Sequence, residues 1–234
     1  MTKLFLFLGD RTIPYRTLMA NHTDFYLEGF FIKKSQVVIA EQTHSNNVHI
    51  CSDSDSGAGF DEHLQITYSD ALISNIPNQF LLIRTADCFP ILLYDQKSEA
   101  VGAIHSGREG TKQNIVAQTI IAMQNAYSSN PSDLHAWIGA GICKKHYQVS
   151  DNIWNDFSEI CTQNRLFIDK SDIPFLDIQN VVIQQLLLAG IKAENIVKLD
   201  ICTYESKNHF SYRRDGTHNR QINVIGMSDG KYNL

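Results

Sequence analysis

His44, Cys88 and His105 are residue types that could hold one metal ion between them. A neutral imidazole and a thiolate are good zinc ligands, and three protein donors leave a fourth position for water or substrate. Wide separation along the chain suits a catalytic site, whereas a zinc finger draws its ligands from tight pairs. Residue type and spacing leave ordinary readings open, because nine histidines and five cysteines offer many triplets. Each histidine could be a half-buried, hydrogen-bonded side chain, and Cys88 a small core hydrophobe.

The elements that must position these residues can be read from apolar patterning. Short apolar, β-branched runs predict strands at Leu4–Leu8, Val37–Ala40, Ala71–Ser74, Phe80–Arg84, Ile91–Tyr94, Ala100–His105, His135–Ile138 and Ile196–Asp200. Helical spacing predicts three helices. One carries Val116, Ile120, Met123 and Tyr127 on a single face, and one follows Ser150 as N-cap with Ile153, Trp154, Phe157 and Ile160. The third carries Val182, Leu186 and Ala189 and stops at Gly190. Strands outnumber helices and cluster, so the pattern predicts a mixed α+β fold rather than a regular βαβ alternation. All three candidate ligands fall at strand ends, where side chains converge without belonging to the core.

Composition narrows the classes of function. The net charge is −5 and no block of Lys and Arg appears, which argues against nucleic acid as a partner. No segment approaches the roughly 18 consecutive apolar residues of a membrane span. The apolar run after Lys3 is too short for a signal peptide and reads as a buried strand. Cysteines 51, 88, 143, 161 and 202 are scattered and contain no C-x-x-C pair, so reduced thiols in a cytoplasmic protein are expected. No repeat or Pro- or Gly-rich linker divides the chain, and one domain over residues 1–234 is the expectation. The Gly clusters match neither a Walker nor a dinucleotide fingerprint, so no nucleotide cofactor is implied.

The segments EQTHSNNV, SDALIS, LLIRTADCFPILLYD, VGAIHSG, WIGAGI and FSYRRDG occur in this order. Together they closely resemble the YfiH-like family, also called the peptidoglycan editing factor or polyphenol oxidoreductase (laccase-domain) family, from about Val37 to Arg220. The resemblance implies a layered α/β/β/α domain similar to the catalytic domain of the cytotoxic necrotizing factors. It implies zinc as cofactor on His44, Cys88 and His105. It implies a purine nucleoside phosphorylase with adenosine deaminase and methylthioadenosine phosphorylase side activities, taking a purine nucleoside and phosphate and acting as a monomer or homodimer. Two alternatives stay open: a hydrolase that removes L-Ser-containing peptidoglycan precursors, and a hydrolase using Cys88 as nucleophile with His105 as base. Laccase chemistry is not expected, since multicopper sites use H-x-H pairs and the chain has none.

Given that chemistry, phosphate needs an anion site, and Arg213 or Arg214 supplies a planar fork suited to it. On an extended chain the two would point opposite ways, so one of them is expected to face the site, unless both pair with acids such as Asp215. Deamination needs a carboxylate to move a proton, for which Glu41, Asp70 and Asp87 are candidates. Asp70 is the first choice as a substrate-facing acid; Asp87, beside a ligand, could instead orient its neighbours. Asn46 or Asn47 could bind the base or complete a turn. Asp177 and Asn180 are expected to be structural. The chain departs from the family after His105, where the usual H-A-G-W-R-G-T reads His105-Ser106-Gly107-Arg108-Glu109-Gly110-Thr111. Arg108 is the candidate to replace the displaced arginine in anion binding.

Overall fold

Side chains alternate across a strand, so a strand buried on both faces must be apolar at nearly every position. The run FLLIRT at 80–85 and the run FPILLYD at 89–95 both meet that condition, and each lies in the middle of its own sheet. The computed structural model of the chain describes residues 2–20, 23–60, 63–168 and 172–230. Its N-terminal half runs β1 (Lys3–Leu8), α1 (Tyr15–Ala20), β2 (Phe25–Leu27), β3 (Phe30–Ile32), β4 (Val37–Ile39), β5 (Val48–Ile50), β6 (Ala71–Ser74), β7 (Phe80–Thr85), β8 (Phe89–Asp95) and β9 (Ala100–Ser106). There follow α2 (Arg108–Lys112), α3 (Ile115–Tyr127), β10 (His135–Ile138), α4 (Asp151–Gln163), α5 (Ile178–Leu188), β11 (Ile196–Lys198), α6 (Tyr212–Asp215) and β12 (Gln221–Ser228).

A four-stranded sheet in the order β1-β12-β7-β4 stacks on a six-stranded sheet, β11-β10-β8-β9-β6-β5. Between them lies a buried layer of Val38, Leu81, Ile83, Ile225 and Met227 from the small sheet and Leu72, Leu92, Val101 and Ala103 from the large one. The outer face of the large sheet is covered by helices, through Val116, Ile120 and Met123 of α3, Phe157 of α4 and Val182 and Leu186 of α5. The outer face of the small sheet has a thinner cover, Leu18 of α1 with Leu27 and Ile32 of the β2–β3 hairpin. This is the mixed α+β, α/β/β/α layering expected from the sequence. No described helix is long and apolar enough to cross a membrane.

All eight expected strands agree with the structure to within two residues at either end, Ile196–Asp200 ending early at Lys198, and the three expected helices are present as α3, α4 and α5. Ser150 caps α4 by accepting from the Ile153 N–H, and Asp177 caps α5 by accepting from the Asn180 N–H. β12 is the main element absent from the sequence reading. Its apolar residues are interrupted by Gln221, Asn223 and Gly226, which disguise the alternation. Both polar side chains are buried and partnered. Gln221 makes a reciprocal pair with the Phe210 backbone, and the Asn223 amide donates to Thr85 Oγ1 at 3.1 Å.

Candidate metal centre and cleft

The alternation that builds the inter-sheet layer also aims the ligands. On β9, Val101 and Ala103 face the small sheet, and His105 continues the same face at the strand's end. Cys88 immediately precedes β8, two residues before Pro90, which pairs with His105 across the β8–β9 ladder. His44 arrives from the other sheet, on the connection that leaves β4 and enters β5. The three donor atoms lie within 4.8 Å of one another, and His44 Nε2 is 3.9 Å from Cys88 Sγ. Tetrahedral zinc with bonds of about 2.0–2.3 Å sets its ligand atoms roughly 3.6 Å apart, so the donor set fits a zinc-sized ion. His105 is buried, Cys88 half-buried and His44 exposed, which leaves the cluster open on the His44 side.

Asp70 holds this arrangement in place. Its carboxylate takes the Nδ1 of His105 at 2.8 Å, leaving Nε2 of that ring to face a metal. The same two oxygens accept the backbone N–H groups of Thr43, His44 and Ser45 and the Ser45 hydroxyl. His44 sits in the left-handed region at φ 64°, a strained conformation for a residue with a Cβ, and this cradle of N–H groups stabilises it. Burial disfavours the charge on Asp70, but the hydrogen bond and positive charge of His105 with the Ser45 donors outweigh it, holding the carboxyl well below the usual range. In the metal-free cluster, burial likewise opposes the Cys88 thiolate. The charge of His105 and hydrogen bonds from both histidines override it and bring the thiol down to about 6.

Gly107 completes the cluster. A Cβ there would meet His44 Cδ2 at 2.9 Å and Cys88 Sγ at 3.0 Å. Only glycine lets α2 begin this close to the ligands.

A cleft of about 480 Å³ opens over His44 and Cys88, walled by Asp87, Arg108, Tyr147, Tyr212, Arg213, His218 and Arg220. Asp87 faces it, yet both its oxygens are engaged, one by the Thr203 hydroxyl at 2.6 Å and one by the Arg213 N–H at 2.8 Å. Arg108 lines the cleft while pairing with Glu109, which also binds Lys112. Arg213 reaches across to the carbonyls of His146 and Gln148 and lies over the Tyr147 ring.

Four expectations need correction. Asp70 does not face substrate: it is fully buried, because six donors from the ligand loops and His105 surround it. Arg213 and Arg214 do not alternate on an extended chain. They lie in α6, capped by Ser211 and closed by Gly216 at φ 60°, so Arg214 turns away from the cleft. Its guanidinium donates to the carbonyls of Thr203, Tyr204, Ser206 and His209 and pairs with Asp215, clamping the loop before α6. Asn46 is outside the cleft lining and donates its amide to the Gln113 carbonyl. Glu41 is likewise engaged, by the Tyr68 N–H.

Tyr147, Tyr212, His218 and Arg220 are cleft residues that sequence reasoning did not select as site residues. The signal for the last three lay in their closeness to the R-R-D-G segment, Tyr212 opening α6 and His218 and Arg220 on the turn from α6 into β12.

The sequence pattern described as multi-copper polyphenol oxidoreductase laccase matches residues 16–228. The chain belongs to this YfiH-like family. A protein from Campylobacter jejuni named purine nucleoside phosphorylase is 33% identical over 198 residues, covering 82% of this chain and 77% of that one. The crystal structure of a Bacillus licheniformis hypothetical protein YfiH superposes with a TM-score of 0.77 at 30% identity, over 83% of this chain and 75% of that one. YlmD from Geobacillus stearothermophilus has the same fold, with a TM-score of 0.77 at 23% identity over 98% of this chain and 92% of that one. Relatives in this family are thus named purine nucleoside phosphorylases, and the chain carries a Cys/His group able to bind metal. Among the described residues, the two groups of candidate ligands contain two histidines and one.

Proposed function

We propose that the chain is a zinc-dependent purine nucleoside phosphorylase, with His44, Cys88 and His105 as the metal ligands. The observation that carries this reading is the convergence of two imidazoles and a thiolate, of which His44 and Cys88 line a cleft whose walls bear three arginines. Zinc held there supplies a Lewis acid with an open position. The remaining work falls to the protein's own groups. Asp70 keeps His105 in the tautomer that presents Nε2, and Asp87 fixes the backbone of Arg213. Arg213 and Arg220 each use Nη1 on backbone carbonyls, and among the described residues no carboxylate pairs with either, so the remaining N–H groups of both suit an incoming phosphate. Arg108 adds a third cation from the position where this chain departs from its relatives' usual pattern. The rings of Tyr147 and Tyr212 offer apolar faces for the purine.

Methylthioadenosine phosphorolysis fits the same cleft as a side activity. Adenosine deamination is the weaker side activity, because the one carboxylate in the lining, Asp87, has both oxygens engaged. The test is incubation of zinc-loaded protein with inosine or adenosine, with and without phosphate. Free base formed only with phosphate supports the proposal; no consumption in either condition overturns it. Arg220→Ala is expected to raise the phosphate KM at least tenfold with a smaller effect on the nucleoside KM. Arg108→Ala should act in the same direction, and an unchanged phosphate KM would remove Arg108 from the anion site.

A second reading has one observation in its favour, the closeness of Cys88 Sγ to a ring nitrogen of His105, within 4.8 Å. In it, the cysteine is a nucleophile rather than a ligand.

A further inference from the structure

Outside the cleft, a second cluster joins two loops that the mechanism does not use. Cys143 and His146 follow β10 with the spacing C-x-x-H, and Cys202 and Glu205 follow β11 with the spacing C-x-x-E. The loops are already aligned, since Gly141 bridges to Cys202 in parallel and the Thr203 N–H donates to the Gly141 carbonyl. Their four donor atoms lie within 4.8 Å of one another. From His146 Nδ1 the distances are 3.3 Å to Cys143 Sγ, 3.8 Å to Cys202 Sγ and 3.5 Å to Glu205 Oε1. These match the edges of a zinc tetrahedron, roughly 3.6 Å. The His146 ring is held in orientation by stacking on Tyr204, with centroids 4.4 Å apart and planes at 16°.

We propose that Cys143, His146, Cys202 and Glu205 form a second metal site, closed and structural, for a zinc-class divalent ion. Two thiolates, an imidazole and a carboxylate are the donors such an ion selects. Paired donors on two neighbouring loops, filling all four positions, are the arrangement of a structural centre, in contrast to the three separated donors of the cleft. The site braces the cleft wall. Thr203, next to Cys202, bonds Asp87, and Arg213 bonds the carbonyl of His146.

Metal content decides the matter. The protein would be purified under reducing conditions, equilibrated with zinc and freed of excess, and its bound zinc counted by mass spectrometry. The expected result is two ions per chain, matching the two donor groups. Cys88→Ser should retain one, and Cys143→Ser combined with Cys202→Ser should also retain one. If the double variant fails to fold, Cys88→Ser loaded with cobalt gives the answer. It should show the thiolate-to-cobalt charge-transfer band, and Glu205→Gln in that background should weaken binding at least tenfold. One ion per chain that Cys88→Ser abolishes overturns the proposal. So does a Cys143–Cys202 disulfide found in the reduced preparation by peptide mapping, because it would consume both thiolates.

Discussion

A single carboxylate, Asp70, receives the Nδ1 of one ligand and the backbone of the loop that carries another. Asp70→Asn keeps the shape but removes the charge and one acceptor. It is expected to weaken zinc binding by about 10- to 100-fold, read by competition with a chelator, and to destabilise the fold by about 3 kcal/mol at neutral pH. The sign of its pH dependence follows from the direction of the shift. A carboxyl held below its ordinary 3.8 contributes stability that is present above that pH and is lost as pH falls through the folded value. The gap in stability between wild type and Asp70→Asn should therefore be full at neutral pH and narrow as the pH drops below about 4. Cys88 offers a second measurement. In metal-free protein its alkylation by iodoacetamide should rise with pH around a midpoint near 6, and zinc should abolish it. Undiminished alkylation in the zinc-loaded protein would instead favour the nucleophile reading. At this scale the sequence was partly legible. The types and motif positions of His44, Cys88 and His105 pointed to a ligand set, but the burial of Asp70 depends on loops distant in sequence, which no local pattern reports.

Elements carry the ligands to one point by short, constrained connections. Gly107 is the tightest of these, between the end of β9 and the start of α2. Gly107→Ala should push against His44 and Cys88, with zinc affinity falling at least tenfold while the circular dichroism spectrum is retained. The three longest helices and most strands were readable because each has one clear period, with Ser150 ahead of α4 and Gly190 after α5 marking their ends. The segments that were missed are short or mixed in character. β2 and β3 have three residues each, and α6 has four. The two arginines of α6 show the cost of that ambiguity. A turn of helix rotates neighbouring side chains by about 100°, so one arginine reaches the cleft and the other is absorbed by carbonyls. Local geometry, not residue type, separates their roles.

For the whole molecule, the layer between the sheets is the scaffold on which the two halves of the candidate metal site meet. His44 is fed from the small sheet, while Cys88 and His105 extend the large one. Leu92 lies in that layer with no exposure. Leu92→Ala is expected to cost about 2–5 kcal/mol, and the loss of sheet-to-sheet spacing should lower zinc affinity as well. Chemical denaturation with and without zinc checks both effects. The layer was foreseeable from strands apolar on both faces; which strands share a sheet was not, because β1 pairs only with β12, at opposite ends of the described chain.

That pairing has a consequence for how the protein is made. Among the described strands β1 emerges from the ribosome first, and its neighbour β12 emerges last. Until then the edge of β7 that β12 will cover also lacks its partner, and the nascent chain exposes sticky strand edges that invite chaperones. The stretch from Arg213 to Arg220, which finishes the cleft wall, emerges just before β12 and is held by it. A chain cut short of β12 would therefore carry the three candidate metal ligands but neither a closed small sheet nor a complete cleft wall.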